Sequence, residues 1–189
     1  MTGVQTCALP ISGKGALEFK GVGDRVRLAI PGERAALTFS AWVRPDSLAN
    51  RYNALLVADS YRRGVLRWQL TQQGALALTQ LLVDDQSLAD PGATQRVVSS
   101  PAIPAERLGR WVHLATTADF RTGEVVHYAD GRRVGAGKLR EAVAGLLGTA
   151  EIGNWGLGPE TERGRRLADG GYLNRSFAGR IDEIGRAHV

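Results

Sequence analysis

The sequence predicts an all-β chain folded as a two-sheet antiparallel sandwich, and three observations carry that expectation. From Leu17 onward apolar residues recur at every second position, the period of a strand with one buried face. Turn residues break these runs at short intervals. No segment keeps a helical period for long without an interrupting glycine. At 189 residues and 43% hydrophobic, the chain is expected to close one core rather than two. Charged residues of both signs make up 23%, and no apolar run reaches about 18 residues, so neither disorder nor membrane insertion by this segment is expected.

The elements follow in order. Val26, Leu28 and Ile30 alternate with Arg27 and Ala29. Leu37, Phe39, Ala41 and Val43 alternate with Thr38, Ser40, Trp42 and Arg44, and Pro45-Asp46 closes the run with turn chemistry. Ala54 to Ala58 is apolar throughout, which suits a strand covered on both faces. Leu66, Trp68 and Leu70 alternate with Arg67 and Gln69 as far as the Gly74 turn, and Ala75 to Thr79 is expected to pair back onto them. Asp84 to Pro104, rich in Asp, Gln, Ser, Pro and Ala, predicts a long surface excursion, and Pro104 to Gly109 one helical turn. Trp111 to Thr117 and Glu124 to Ala129 are strands, and Asp130-Gly131 after the second predicts a two-residue type I′ hairpin, which needs positive φ at both positions. Arg140 to Gly148 reads as a loop or short strand because Gly145 and Gly148 interrupt any helix. Ala150 to Gly153 is a strand, Trp155 to Asn174 a second long loop, and Phe177 to Asp182 the start of a final strand. This makes about ten strands.

Both termini read as foreign to the fold. Glu183 to Val189 reverse-translates to a common sequencing-adapter oligonucleotide, and Met1 to Ile11 to a longer stretch containing its reverse complement. Residues 1–12 and 184–189 are therefore expected to be adapter-derived, with the domain at 13–183 incomplete at its last strand. Cys7, the one cysteine, then lies outside the domain, leaving no disulfide or thiolate metal site inside it. Removing Arg186 lowers the formal charge from +5 to +4.

Five blocks carry a resemblance: Ala16 to Val26, Phe39 to Pro45, Trp111 to Ala115, Tyr128 to Gly131, and Gly179 to Glu183. In order and spacing they resemble the laminin G-like jelly-roll domains of the concanavalin A-like lectin and glucanase superfamily. Glu151 to Gly156 with Leu173 to Glu183 is similar to the modules that follow FecR-type domains in bacteria. The resemblance implies a non-catalytic, extracytoplasmic module, periplasmic, cell-surface or secreted, whose partner is a glycan or an extracellular protein. It also implies calcium as the cofactor to consider, with Asp24 and Asp182 at positions where the superfamily gathers oxygen ligands. A salt bridge from Asp24 to Arg180 is the structural alternative. The resemblance further implies that a shortened last strand would leave the first strand's backbone unpaired and the product poorly soluble.

Glucanases of that superfamily set carboxylates on one strand face as Glu-x-Asp-x-(x)-Glu, and no such run exists here. Glu151 is followed by Ile152, Gly153 and Asn154, while Asp182 and Glu183 are adjacent and so face opposite ways. No catalytic residue is assigned, and the alternatives are a hydrolase-like relative or a structural spacer. His113 and His127 read as strand histidines bonded across the sheet, without the nucleophile or clustered ligands that a triad or zinc requires. Arg62-Arg63, Arg132-Arg133 and Arg163 to Arg166 are interleaved with acids in loops, so no nucleic-acid partner is expected. Trp42, Trp68 and Trp111 read as core residues. Trp155 differs, standing between Asn154 and Gly156 at the head of a polar loop, where an exposed indole would stack on a sugar ring while Asn154 bonds its hydroxyls, the favoured alternative being that the loop packs against the sandwich. Asn154 and Trp155 are accordingly the candidate ligand-binding residues.

Overall fold

A computed structural model describes residues 5–7, 15–84, 92–155 and 175–187. Its strands are β1 Gln5–Cys7, β2 Ala16–Phe19, β3 Val26–Arg34, β4 Ala36–Ser47, β5 Tyr52–Ala58, β6 Leu66–Thr71, β7 Ala75–Leu81, β8 Thr94–Pro101, β9 Val112–Asp119, β10 Glu124–Ala129, β11 Arg132–Lys138, β12 Gly145–Ile152 and β13 Ala178–Ala187. A 3-10 turn at Ala105–Arg107 meets the expected helical turn. The strands form two antiparallel sheets, the predicted sandwich. A seven-stranded sheet runs β1-β2-β13-β4-β9-β10-β11, and a six-stranded sheet runs β3-β12-β5-β6-β7-β8.

Period-two alternation builds the interior. Leu37, Phe39, Ala41 and Val43 of β4 are buried while the residues between them are half-buried, and β9 repeats the pattern with Val112, Leu114, Thr116 and Ala118. The registers Ala41↔Leu114 and Phe39↔Thr116 set these residues side by side on one inner face. From the opposing sheet Trp68 stacks on Phe39 with ring centroids 5.7 Å apart. Each such buried side chain contributes about 1.5–3 kcal/mol of transfer free energy, which makes this inter-sheet layer the main hold on the fold. Asp130 and Gly131 both take positive φ, 48° and 73°, as the hairpin turn requires.

Four details differ from expectation. β8 lies inside the predicted surface excursion, because Gln95 and Ser99 fill its buried positions beside Val97 and disguise the alternation. Trp42 and Trp111 are half-buried on the outer face rather than in the core, and Trp42 packs instead on the His113 ring at 5.2 Å. The strand pattern predicts this: Phe39, Ala41 and Val43 point inward, so Trp42 must point out. β13 continues to Ala187, although its ladder with β4 is irregular between Asp182 and Gly185, where Glu183 has φ 48°. Finally, β2 is flanked by β13 on one side and β1 on the other, so its edge is covered by backbone pairing from Gln5 to Cys7.

Candidate ligand site on the outer face of the six-stranded sheet

Leu66, Trp68 and Leu70 of β6 belong to the main core, so Arg67 and Gln69 project to the opposite face. A cross-strand row passes through Arg67: Arg27 on β3, Glu151 on β12, Val57 on β5, Arg67 on β6, Thr79 on β7 and Arg96 on β8. The next row holds Ala54, Gln69, Ala77 and Val98. The face is thus apolar at its centre, with polar groups set among small side chains.

Trp155 lies over this face. β12 ends at Ile152, the following Gly153 has φ 78°, and Trp155 packs on Ala54 and Val57 with Tyr61 at its edge, 5.7 Å away. The Arg67 guanidinium sits 4.9 Å from the Trp155 ring centre and 5.8 Å from that of Tyr61. The Arg175 guanidinium sits 5.0 Å from the Trp155 centre and 5.1 Å from that of Tyr52. The result is a ladder in which rings and cations alternate, Tyr61, Arg67, Trp155, Arg175, Tyr52, each contact an attraction of about 0.5–2 kcal/mol. Arg175 Nη1 also donates to Gln69 Oε1 at 2.7 Å.

Among the described residues no carboxylate offsets the charge in this cluster. Arg67 is 2% exposed and Arg175 8%, and among the described residues neither meets a carboxylate. Glu151, two strands away in the same row, accepts from Arg27 at 2.6 and 3.0 Å and lies 3.4 Å from Arg25 Nε. Burial pushes the Arg67 guanidinium below its ordinary value. Arg175 is pushed down to about 9, first by burial and then by the charge on Arg67, which still leaves it protonated at neutral pH. Five buried side-chain nitrogen and oxygen atoms here lack a hydrogen-bond partner among the described residues: Arg67 Nε and Nη2, Arg175 Nε, Trp155 Nε1 and Thr79 Oγ1. Buried polar atoms are normally satisfied, so this concentration makes the cluster the candidate site of the chain.

The candidate residues fall out unevenly. Trp155 is in the cluster but 4% exposed, its ring against two guanidiniums, so it offers no open platform for a sugar. Asn154 ties loops together: its Nδ2 donates to the Val22 carbonyl and its Oδ1 accepts the Trp155 backbone N–H at 2.8 Å. Asp24 and Asp182 are not brought together. Asp24 Oδ2 accepts the Lys20 and Gly21 backbone amides at 2.8 and 2.7 Å. Asp182 lies beyond Ile181, which pairs with Leu17, so about four residues of strand, roughly 13 Å, separate it from the Lys20 end. Calcium–oxygen bonds of about 2.3–2.6 Å cannot span that gap, and these two carboxylates do not fit a shared calcium site. Among the described residues no three of His, Cys, Asp and Glu form a group that could hold a metal ion. Arg180 pairs with Glu18 at 2.5 Å rather than with Asp24. His127 is fully buried, as a bonded strand histidine should be. Arg63 is engaged by Asp84, Glu141 and the Leu82 carbonyl, while Arg163 to Arg166 lie outside the described residues. No helix among the described residues is long and apolar enough to cross a membrane.

Sequence reasoning missed Arg67, Arg175, Gln69 and Thr79. An arginine alternating with Leu66 and Trp68 reads as a solvated position, and only the chain passing over it at Trp155 makes it buried.

A laminin G-type family model described as the concanavalin A-like lectin/glucanases superfamily matches residues 20–184, and the chain belongs to that family. Among solved structures, it resembles the LG4-5 domains of the mouse laminin alpha1 chain, with a TM-score of 0.61 and 14% identity over 91% of this chain and 40% of that one. It also resembles domain 4 of AbnA, a GH43 extracellular arabinanase from Geobacillus stearothermophilus in complex with arabinotriose, with a TM-score of 0.55 and 19% identity over 93% and 71%. A third similar structure is the CBM40 module of the Ruminococcus gnavus IT-sialidase bound to alpha2,3 sialyllactose, with a TM-score of 0.53 and 14% identity over 88% and 90%. The chain thus spans about two fifths of the laminin pair and most of the sialidase module. At these identities the likeness is one of fold. No curated protein sequence matches the chain.

Proposed function

We propose that the chain is a non-catalytic recognition module that binds glycan on the outer face of the six-stranded sheet, within a larger extracytoplasmic bacterial protein. The observation that carries this reading is the group of five unpartnered buried polar atoms around Trp155. Sugar sites combine aromatic residues with a few fixed polar groups, and this cluster sets Trp155, Tyr52 and Tyr61 beside buried donors, with the donors rather than the indole face left to meet a ligand. Membership of a lectin and glucanase superfamily, and sandwich relatives solved with arabinotriose and sialyllactose, support the same reading. The module is taken as residues 13–183, with 1–12 and 184–189 as adapter-derived flanks, and sequencing the untrimmed genomic locus checks that division.

A hydrolase reading needs one carboxylic acid held neutral and a second ionised nearby. Glu151, the fully buried acid on this face, is engaged by Arg25 and Arg27, and no second carboxylate shares its row on the sheet. A glycan array run beside β-glucan hydrolysis separates the readings. Retention without turnover supports the module, turnover that disappears on removing one carboxylate supports the enzyme, and neither supports a spacer.

A further inference from the structure

We infer that the outer-face site takes a sugar bearing a carboxylate, a uronate or a sialate, and that Arg67 receives that group on the side-on edge of its guanidinium. The inference rests on the glycan-recognition reading and names the ligand class within it.

The identity of the unpartnered atoms carries the argument. A guanidinium presents two donor edges, and the side-on edge consists of Nε–H and the N–H of Nη2 lying parallel, spaced to meet both oxygens of one carboxylate. In Arg67 these two nitrogens are the ones that are buried and unpartnered. The rest of the surroundings fits an anion. Arg175, held by Gln69, adds a second positive charge beside the same indole, its Nε also unpartnered. Thr79, the cross-strand neighbour of Arg67, offers a buried hydroxyl, and Trp155 Nε1 offers a further N–H. All of these donate or can donate, and no acid among the described residues competes for Arg67, since Glu151 is engaged by Arg25 and Arg27. Two buried cations together with vacant donors repel a third cation and leave a neutral hydroxyl poorly matched, whereas one carboxylate satisfies a charge and two N–H groups at once.

The experiment uses the full chain and isothermal titration calorimetry. The probes are oligogalacturonate, its fully methyl-esterified form, 3′-sialyllactose, lactose and acetate. Binding of oligogalacturonate or of sialyllactose is expected, the pair identifying whether uronate or sialate is the source. The esterified oligomer or lactose respectively should bind on the order of tenfold to a hundredfold more weakly, because the ester and the neutral sugar lose the charge-assisted pair. Acetate alone should bind far more weakly than either acidic sugar. Esterification leaves the protein untouched, so this arm holds even if a variant fails to fold. Arg67→Met, which keeps the volume of the stem, should abolish the preference for the acid while Arg132→Met, exposed on β11 of the other sheet, should not. If acidic and neutral sugars bind equally, the carboxylate inference is overturned and the glycan reading stands. If an array shows no sugar bound at all, both fall.

Discussion

The indole N–H of Trp68 donates to Thr116 Oγ1 at 2.8 Å, a hydrogen bond from one sheet to the other through the middle of the core. The Thr116 hydroxyl has one proton, and since it accepts from Trp68 it is free to donate to His127 Nδ1, also at 2.8 Å. The imidazole proton then sits on Nε2, which donates to the Val97 carbonyl at 3.2 Å. Every member is satisfied, and the chain of bonds joins β6, β9, β10 and β8. Thr116→Val preserves shape but strands a buried N–H and a buried ring nitrogen, so stability should fall by about 2–4 kcal/mol. Urea unfolding measures it, and a loss under about 0.5 kcal/mol contradicts the network.

The same histidine makes stability depend on pH. Burial holds His127 below the ordinary imidazole value, partly opposed by its bond to Val97. The folded state therefore binds fewer protons than the unfolded one, whose imidazole titrates near 6.5. The contribution is complete above that value and is lost as pH falls through it and onward through the lower folded value. His127→Gln should flatten the profile between about pH 7.5 and pH 5, and thermal melts at the two ends read the difference. A variant that keeps the full slope shows that other groups carry it. Asp119 is one to separate out: hydrogen bonds from Arg121 hold it near 2, so its effect falls well below this window.

How much of this was legible in the sequence follows from the kind of information each feature uses. Strands β4, β9 and β10 were readable because each buries one face against a single partner, and alternation reports that directly; β6 was readable because its apolar residues alternate with polar ones, although both of its faces are buried. β8 was hidden because Gln95 is buried as a polar residue, donating to Gln80 Oε1 at 2.8 Å, which no hydrophobicity pattern registers. The site was half legible. Trp155 stood out as an indole at the head of a polar loop, yet its setting depends on Arg67, 88 positions earlier, and on Arg175 after the second long loop. Neither arginine differs locally from a solvated one.

Gly153 fixes where Trp155 lands, and two glycines of β12 and its end test that. A Cβ at Gly153 would meet Phe19 Cε1 at 2.2 Å, with φ at 78°. Gly148 has φ 58° but nothing within 4 Å of the added atom. Gly148→Ala should cost about 1 kcal/mol from backbone strain alone. Gly153→Ala adds overpacking against a core ring and should cost about 2–5 kcal/mol. Equal losses in denaturant titrations of the two variants rule out the close approach to Phe19.

The Asp24 turn gives a test in which a metal role and a backbone role part company. Its Oδ2 accepts two backbone amides, from Lys20 and Gly21, and its own N–H donates to the Gly21 carbonyl at 3.1 Å, so the carboxylate closes the loop that joins β2 to β3. Asp24→Ala frees both amides at a partly exposed site, where water can replace the lost partner, and a cost of about 1–2 kcal/mol is expected. If the carboxylate serves the backbone, that loss is identical in chelator and in millimolar calcium, and the parent chain melts at one temperature in both. If instead calcium raises the parent melting temperature and Asp24→Ala removes the rise, the turn is a cation site, and the amide bonds described here are displaced when the ion is bound.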